Sequence, residues 1–257
     1  MKNKKRKIVI IPTYNEIENI QDIIEEIFTI VPDIHIMIID DNSPDGTADI
    51  VTKLQAFYKN LHLVKRTGKL GLGTAYKLGF RLALKNGYDY IMEMDADFSH
   101  DPAVLENFFL NIENYDLVIG SRYVAGGRLV NWPFMRWLLS YGASTYIRLI
   151  TSLPIKDTTA GFKCFRREVL ESINLTQVLS EGYSFQIEMH YKAWKNGWSI
   201  KEIPITFVDR SYGQSKMNWK IIAEAFLIPW KLKLQPVYEY IRREKVRFDF
   251  EDIDFDK

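Results

Sequence analysis

The first half of the chain alternates between short apolar runs and longer segments in which apolar residues recur every three or four positions. Continuous β-branched runs indicate strands buried on both faces, and the helical spacing indicates amphipathic helices. The predicted strands are 7–11, 34–40, 61–64, 90–94 and 117–120, and the predicted helices are 17–28, 48–58, 73–85 and 102–112. This order predicts an α/β fold with a mostly parallel, Rossmann-like central sheet and helices on both faces. The loops after the strands should then meet at one edge, where such sheets bind ligands.

The second half of the chain is less regular. We predict helices over 134–152 and 183–195 and extended segments over 161–165 and 199–208. The apolar segment 218–234 contains Pro229, which is expected to kink or end a helix. Its Trp and Lys residues around an aliphatic face are typical of a helix lying in a membrane interface, and a core helix is the alternative. We therefore predict a main domain over 1–217, followed by an amphipathic helix and an acidic tail over 218–257.

Composition narrows the class of protein. The net charge of +1 gives no overall attraction to nucleic acid, and we expect no nucleic-acid partner. Cys164 is the only cysteine, which excludes an intrachain disulfide and fits a cytoplasmic setting. No signal peptide and no run long enough to span a membrane are expected. The basic cluster at 2–7 and the acidic cluster at 249–256 are either solvated tails or, for the basic one, a contact with anionic lipid.

Two acids directly follow the predicted strand 90–94, in the motif Asp95-Ala96-Asp97. Residues two apart in an extended chain point to the same side, so both carboxylates can face one point. Two close carboxylates repel each other unless a cation lies between them, and Mg²⁺ or Mn²⁺ is the natural occupant. The motif alone is a weak indication, because an ordinary polar loop before a helix explains it as well.

Two further polar motifs follow strands. DDNSPDGT (40–47) has the composition of a turn, but a turn does not account for adjacent acids at a sheet edge, and Asp41 is suited to accept hydrogen bonds from a base or ribose. IPTYNE (11–16) offers the flat ring of Tyr14 to a nucleobase and the acceptor oxygens of Glu16. A proline turn with an acid at a helix N-terminus is the simpler alternative.

The basic residues that stand out lie mainly in the second half. Arg122 follows the strand 117–120, Arg136 starts the helix 134–152, and Ser140 lies one helical turn after Arg136. The run 210–216, RSYGQSK, carries a glycine between its charges, which suits a mobile loop around a diphosphate. Each of these charges, taken singly, is more often a solvated side chain.

The ordered set of motifs resembles the dolichol-phosphate (polyprenol-phosphate) mannose synthases, members of the large family 2 of inverting glycosyltransferases. The resemblance covers roughly 8–217 and rests on IPTYNE, DDNSPDGT, KLGLGTAY, MDADFSH, GSRY, GGRLVNWP, DTTAGFKCFRREVLE, EGYSFQIEM and IPITFVDRSYGQSKM. It implies a GT-A type nucleotide-sugar-binding fold, GDP-mannose as donor, a polyprenyl phosphate lipid as acceptor and a divalent metal cofactor.

The resemblance also implies roles for single residues. The residues expected to bind the donor are Pro12, Tyr14, Glu16, Ile39, Asp41, Asp95, Ala96, Asp97, Arg210 and Lys216. The expected metal ligands are Asp95, Asp97 and Ser99, with Ser99 reaching the ion through water because some relatives carry a longer glutamine there. The acceptor phosphate is expected to meet Arg122, Arg136 and Ser140. The residues expected to matter most for catalysis are Asp97, Arg122 and Arg210.

A phosphate acceptor sets the expected chemistry. A phosphate monoester has a second pKa of about 6, so it is anionic near neutral pH and needs no catalytic base. Attack from behind the sugar carbon inverts it and gives a β-linked product. The lipid acceptor implies a peripheral protein on the cytoplasmic face of a membrane, with a small membrane protein subunit as a further partner. The alternatives are a family 2 enzyme that uses UDP-glucose, a nucleotidyltransferase, and a sugar-nucleotide-binding module without activity.

Overall fold

The computed structural model describes residues 4–178, 180–209 and 226–234 of the chain. The strands are β1 (Lys7–Thr13), β2 (His35–Asp40), β3 (Leu61–Lys65), β4 (Tyr90–Glu93), β5 (Leu117–Ser121), β6 (Arg128–Val130), β7 (Lys163–Arg166), β8 (Ile200–Pro204) and β9 (Thr206–Val208). The α-helices are α1 (Ile20–Ile30), α2 (Thr47–Leu54), α3 (Leu72–Lys85), α4 (Leu105–Ile112), α5 (Phe134–Thr151), α6 (Arg167–Ser172) and α7 (Gly182–Lys195). Short 3-10 helices cover Pro102–Val104 and Leu175–Gln177, and residues 226–234 are helical.

A seven-stranded sheet in the order β3-β2-β1-β4-β7-β5-β8 forms the centre of the protein. Strands β1 to β4 pair in parallel, and β8 is parallel to β5. Strand β7 is the exception, because it runs antiparallel to both of its neighbours, β4 and β5. A small second sheet pairs β6 with β9. The predicted α/β class and the mostly parallel sheet are confirmed.

Both faces of the central sheet are packed with apolar side chains. Alternate residues of β1 enter different clusters: Ile8 and Ile10 pack on the α3 side, and Val9 and Ile11 pack on the α1 side. Each such fully buried side chain contributes about 1.5–3 kcal/mol relative to an exposed one. Gly79 lets α3 come close to the sheet, since a Cβ there would lie 2.7 Å from Ile10 Cγ2. The buried apolar runs therefore fix the sheet and leave its loops free for chemistry.

The second half departs from the predicted elements in three places. Helix α6 and strand β6 were not predicted, because both are too short to show a period. The predicted extended segment 199–208 divides at Ile205, which is buried and donates its N–H to the Ser121 carbonyl at 3.1 Å. The chain thereby leaves the main sheet and pairs with β6.

Pro229 was expected to kink or end a helix, but the helix at 226–234 continues past it. A proline inside a helix costs about 3 kcal/mol or more. Burial of Ile228 and Leu232 against Ile147 and Ile187 offsets this cost. The remainder of the predicted segment 218–257 lies outside the described residues.

The described residues of the basic N-terminal cluster, 4–7, lie at the amino edge of the sheet. Lys4 pairs with Asp33, and Lys5 Nζ lies 3.1 Å from Asp89 Oδ1. At about 3.3 Å per residue, β1 places this edge roughly 20 Å from the carboxyl edge. Because Lys4 and Lys5 pair with nearby acids at this distant edge, the structure favours the interpretation of the basic cluster as a solvated tail. Across the described ranges, no helix combines the length and the apolar character needed to cross a bilayer.

Candidate active site

The loops that follow the strands enclose one cavity of about 620 Å³ at the carboxyl edge of the sheet. The predicted site residues that line it are Pro12, Tyr14, Glu16, Asp41, Asp95, Ala96, Asp97, Arg122 and Arg136. Its volume is in the range of pockets that hold small-molecule ligands. Ile39, Ser99 and Ser140 do not line the cavity, while Arg210 and Lys216 lie outside the described residues. The structure therefore brings most of the predicted site residues into one space.

The loop after β4 holds the two acids of the DAD motif. The Asp95 backbone N–H donates to His100 Nδ1 at 3.1 Å, which leaves the ring proton of a neutral His100 on Nε2. Ser99 Oγ donates to Asp97 Oδ1 at 2.6 Å. Phe98 lies between them in the left-handed region, at φ 57°, where a bulky residue is strained by about 1–3 kcal/mol. This tight turn directs both carboxylates toward the cavity, and Ser99 positions Asp97 from behind.

The two adjacent acids after β2 have different surroundings. Asp40 is buried and accepts hydrogen bonds from Thr13 Oγ1 at 2.9 Å and from Ser43 N–H at 2.9 Å, so it ties the first two loops together. Asp41 lines the cavity and forms an ion pair with Arg66. Its Oδ2 accepts the backbone N–H of Leu70 at 3.1 Å. In this conformation Asp41 anchors the glycine-rich loop, and only its remaining lone pairs are available to a ligand.

The glycine-rich segment 66–74 contacts the loop that follows β1. Arg66 Nη1 donates to Thr74 Oγ1 at 2.6 Å, and Arg66 Nη2 donates to the Gly71 carbonyl at 3.0 Å. Lys69 Nζ lies 3.8 Å from the centre of the Tyr14 ring, in a cation–π contact. One face of the Tyr14 ring is therefore covered by an ammonium group, which a nucleobase stacking on that face would have to displace.

Arg122 is fixed by a buried ion pair. Its Nε donates to Asp157 Oδ2 at 2.7 Å and its Nη2 donates to Asp157 Oδ1 at 2.6 Å, a bidentate arrangement. Nη2 also donates to Thr159 Oγ1 at 2.8 Å. Burial alone would lower the pKa of Arg122, but the Asp157 carboxylate raises it above its ordinary value. The guanidinium is thus permanently charged and held in one orientation at the cavity wall.

Arg136 has a more accessible pair. Its Nη1 donates to Asp209 Oδ2 at 2.6 Å, and its guanidinium carbon lies 4.3 Å from the centre of the Trp132 ring. Both side chains of the ion pair remain 25% exposed. Ser140 accepts a hydrogen bond from the Tyr123 hydroxyl at 2.7 Å and does not line the cavity. Arg136 can therefore exchange its carboxylate partner for another anion more readily than Arg122 can.

A buried polar layer lies beneath the DAD motif. Glu93 of β4 faces Lys163 of β7 across the sheet, with Glu93 Oε2 and Lys163 Nζ 3.7 Å apart. Burial raises the pKa of Glu93 to about 7 and lowers the pKa of Lys163 to about 8. Lys163 also donates a hydrogen bond to Gln186 Oε1 from α7. Through Gln186, which lines the cavity, this buried polar group connects to the site.

Several cavity residues were not predicted from the sequence. They are Lys69, His100, Trp132, Thr159, Tyr183, Gln186 and Asp209. Most of them lie inside the motifs that carry the family resemblance. Their position in the sequence next to assigned residues could therefore have identified them as site residues. Asp157 is a further omission, because nothing in the sequence indicates that it pairs with Arg122.

The residues of the DAD motif suit a divalent cation. Two carboxylates from one loop line the same cavity, and carboxylate oxygens are the ligands that Mg²⁺ and Mn²⁺ prefer. In the part of the chain described, no group of three or more His, Cys, Asp or Glu residues is placed to hold a metal ion by itself. Mg²⁺ is usually held by one or two carboxylates together with substrate phosphates, so two acids fit such an ion when the ligand supplies the rest of the shell.

The fold and the cavity define an α/β protein whose ligand site lies at the carboxyl edge of its sheet and is lined by both carboxylates and guanidinium groups. The model of the family described as Glycosyl transferase family 2 matches residues 8–173. The chain is 47% identical to a polyprenol monophosphomannose synthase of Mycolicibacterium smegmatis over 86% of its own length and 84% of that protein. It is 42% identical to an undecaprenyl-phosphate mannosyltransferase of Micrococcus luteus, over 92% and 98% of the two chains.

A solved structure supports the same fold. A mannosyltransferase from Pyrobaculum calidifontis, in complex with GDP-Man and Mn²⁺, superposes with a TM-score of 0.56 at 19% identity over 95% of this chain and 67% of that chain. The chain belongs to glycosyltransferase family 2, together with these polyprenyl-phosphate mannosyltransferases, and is a glycosyltransferase.

Proposed function

We propose that the protein transfers mannose from GDP-mannose to a polyprenyl phosphate with inversion, giving polyprenyl phosphate β-mannose and GDP. The observation that carries this proposal is that the same cavity is lined by Asp95 and Asp97, which we call its acidic side, and by Arg122 and Arg136, which we call its basic side. The activities printed for the relatives at 42% and 47% identity point to the same sugar and the same class of acceptor.

The acidic side of the cavity is suited to the donor. Asp95 and Asp97 would hold a divalent ion, with Ser99 fixing the orientation of Asp97. Such an ion, when bound, supplies positive charge that stabilises a leaving diphosphate. Tyr14, Glu16 and Asp41 line the part of the cavity suited to the nucleoside. Pro12, Ile39 and Ala96 complete the proposed donor set, and Arg210 and Lys216 remain proposed ligands of the diphosphate.

The basic side of the cavity is suited to the acceptor phosphate. Arg122 and Arg136 both reach the cavity wall and carry fixed positive charge. Two anions repel each other, so they approach one sugar carbon only when cations offset their charges. We assign Arg122 to align the attacking phosphate and Arg136 to bind it on arrival. Ser140 acts through Tyr123 in this arrangement, since their hydroxyls are hydrogen bonded.

No catalytic base is needed for this reaction. The attacking oxygen already carries negative charge at neutral pH, and it displaces the diphosphate from the opposite face of the sugar carbon. Positioning and charge stabilisation then supply the rate enhancement. This distinguishes the proposal from transfer to a sugar hydroxyl, where a carboxylate has to remove a proton.

An exposed apolar surface adjoins the basic side of the cavity. We define the α5 apolar surface as Phe134, Met135, Leu138 and Leu139. These side chains are 45–68% exposed and flank Arg136 on the same helix. A lipid acceptor has to leave a bilayer only as far as its phosphate, so an apolar surface beside the phosphate-binding arginine fits peripheral docking on a membrane. We propose the cytoplasmic face as its location and a small membrane protein subunit as a further partner.

A donor-by-acceptor screen tests the proposed function. Purified protein, a divalent metal and detergent are combined with GDP-mannose or UDP-glucose, each with and without polyprenyl phosphate. We expect organic-soluble, acid-labile product only from GDP-mannose with polyprenyl phosphate. Product only from UDP-glucose would establish the alternative donor, and release of pyrophosphate would indicate a nucleotidyltransferase. The absence of product with either donor would contradict the proposal.

A further inference from the structure

Gln186 occupies a place in the cavity that the assignments above leave without a role. It lies in the second turn of α7, lines the cavity and is only 3% exposed. A nearly buried amide next to a ligand site has few partners available, and each of its hydrogen-bonding groups has to be satisfied. The partners of its two ends therefore indicate what the side chain does.

The orientation of the amide is set from below. Lys163 Nζ donates to Gln186 Oε1, and Lys163 is fully buried in β7 opposite Glu93. An ammonium group has donors only, so it requires the amide oxygen and not the nitrogen as its partner. Gln186 Nε2 is thereby fixed as the end of the amide that carries the two N–H donors. One of them hydrogen bonds to the buried Glu93 carboxylate, so the second N–H is the one that can serve a ligand.

The region around Nε2 is a small niche beside the DAD motif. A Cβ placed on Gly161 would lie 3.6 Å from Gln186 Nε2 and 3.9 Å from Asp95 Oδ2. The same point is 3.6 Å from His100 Cε1. A donor group and an acceptor group thus converge near one position that the missing side chain of Gly161 leaves open. A hydroxyl group, which both donates and accepts, has the matching chemistry.

The niche adjoins residues of both sides of the cavity. The loop that contains Gly161 also contains Asp157 and Thr159, which hold Arg122 on the basic side. Asp95 belongs to the acidic side. The part of a sugar nucleotide that has to occupy the space between a diphosphate and an incoming phosphate is the transferred sugar itself.

We infer that Gln186 is a specificity-determining residue that recognises one hydroxyl of the transferred sugar, donating to it from Nε2 while Asp95 accepts from it. This inference rests on the proposed function and adds a residue that recognises the transferred sugar. Lys163 is a positioning residue, because it acts only by fixing the amide.

Two substitutions at Gln186 separate recognition from folding. Gln186→Glu keeps an oxygen for Lys163 and removes the donating nitrogen, whereas Gln186→Met removes both ends of the amide. We expect each to lower kcat/KM for GDP-mannose about 10–100-fold, the effect of leaving a polar partner unpaired in a closed site. The inhibition constant of GDP, which lacks the transferred mannose, should change by less than about threefold. Gln177→Glu, at an exposed glutamine outside the cavity, is the matched control.

Gly161→Ala tests the niche without touching Gln186. The added methyl group meets its neighbours at ordinary contact distances of 3.6 Å or more, so the fold should tolerate it. It narrows the space beside Gln186 Nε2 and Asp95 Oδ2 in which the hydroxyl is proposed to fit, and we expect the same loss for GDP-mannose with GDP inhibition unchanged. Equal losses for GDP-mannose and GDP would overturn the assignment, because they would place the effect on the nucleotide.

Deoxy analogues of GDP-mannose provide the sharpest test. We expect the wild type to lose about 10–100-fold with one deoxy donor and Gln186→Glu to lose almost nothing further with that same donor. If the wild type transfers mannose but Gln186→Glu responds to every deoxy donor as the wild type does, this inference fails alone. A wild type that turns over no GDP-mannose would overturn the proposed function and this inference with it.

Discussion

The acidic and the basic sides of the cavity hold their charges by opposite means. On the acidic side, Asp97 accepts a hydrogen bond from the neutral hydroxyl of Ser99, and Asp95 is placed by a backbone contact to neutral His100. On the basic side, Arg122 and Arg136 are each held by a carboxylate. The contacts of the described residues thus orient the two acids by hydrogen bonds within their own loop. The arginines are oriented by ion pairs that have to be shared or exchanged when a phosphate arrives.

The two ion pairs of the basic side also differ from each other. Arg122 and Asp157 are 7% and 0% exposed, while Arg136 and Asp209 are both 25% exposed. A buried pair keeps its geometry because separating it would leave an uncompensated charge, whereas a partly exposed pair is screened by water. The comparison assigns a fixed role to Arg122 and an exchanging role to Arg136.

Removing one acid should have the largest effect. We expect Asp97→Asn to lower kcat about 10³-fold, because the side chain loses the charge proposed to hold the metal while keeping its shape. Initial rates of transfer at saturating donor and acceptor would measure this. Asp49→Asn, at an exposed acid outside the cavity, is the control and should be fully active. A fully active Asp97→Asn would remove the metal role from this side.

Breaking the buried pair should cost stability as well as activity. We expect Asp157→Asn to lower the free energy of unfolding by about 3 kcal/mol, since Arg122 keeps its charge in a buried site. Denaturant unfolding with a fixed m-value would measure it. A change below about 1 kcal/mol would mean that the Arg122 site is better hydrated than its burial implies, and the contrast with Arg136 would disappear.

Removing the exchanging arginine should affect one substrate only. We expect Arg136→Ala to raise KM for polyprenyl phosphate about 10–50-fold, as for the loss of a hydrogen bond to a charged group, and to leave KM for the donor nearly unchanged. Steady-state kinetics with each substrate varied in turn would separate the two. Arg128→Ala, at an exposed arginine of β6, is the matched control. A larger effect on the donor would reverse the assignment of the two sides.

The α5 apolar surface extends the comparison to the membrane. We expect Leu138→Ser to weaken binding to phospholipid vesicles about tenfold, the loss expected for one inserted aliphatic side chain. Co-sedimentation of the full chain with vesicles would measure it. Leu110→Ser, at an exposed leucine of α4, should leave binding unchanged. Equal effects of both substitutions would indicate that contact with lipid is not specific to α5.

At the amino edge of the sheet, away from the cavity, we expect the charge of His35 to affect stability and not activity. Burial, followed by the neighbouring His62, lowers the pKa of His35 from 6.5 to about 4. The unfolded chain therefore binds a proton that the folded protein resists, and stability should fall as the pH drops from 6.5 toward 4. Because His35 is half exposed, we expect His35→Phe to reduce this fall by only about 1 kcal/mol. Urea unfolding across this pH range would measure it, and an unchanged slope would contradict the assignment.

The sequence predicted the residues that line the cavity better than it predicted the residues that hold them in place. Asp95, Asp97 and Asp41 follow strands that are strongly apolar, so the order of strands and loops placed them at one edge. Arg122 and Arg136 were predicted, but Asp157 and Asp209 were not. Their pairs join residues 35 and 73 positions apart, and such contacts depend on how the layers pack and not on any local pattern.

The same reason explains the other omissions. The bond from Lys163 to Gln186 exists only because β7 runs antiparallel beside β4, and a short strand carries no signal of its direction. Strand β6 and helix α6 are shorter than the window in which a period can be recognised. The role predicted for Ser99 as a metal ligand stays a prediction, with its hydroxyl here donated to Asp97.

Transfer to a phosphorylated and an unphosphorylated lipid would test most directly whether two anions meet across one sugar carbon. Labelled GDP-mannose, a divalent metal and the purified protein would be incubated with polyprenyl phosphate or with the corresponding polyprenol. We predict labelled lipid from the phosphate alone, since the cavity offers cations to an anionic acceptor and no base is required. Equal labelling of the free alcohol, or labelling of neither lipid, would contradict this account.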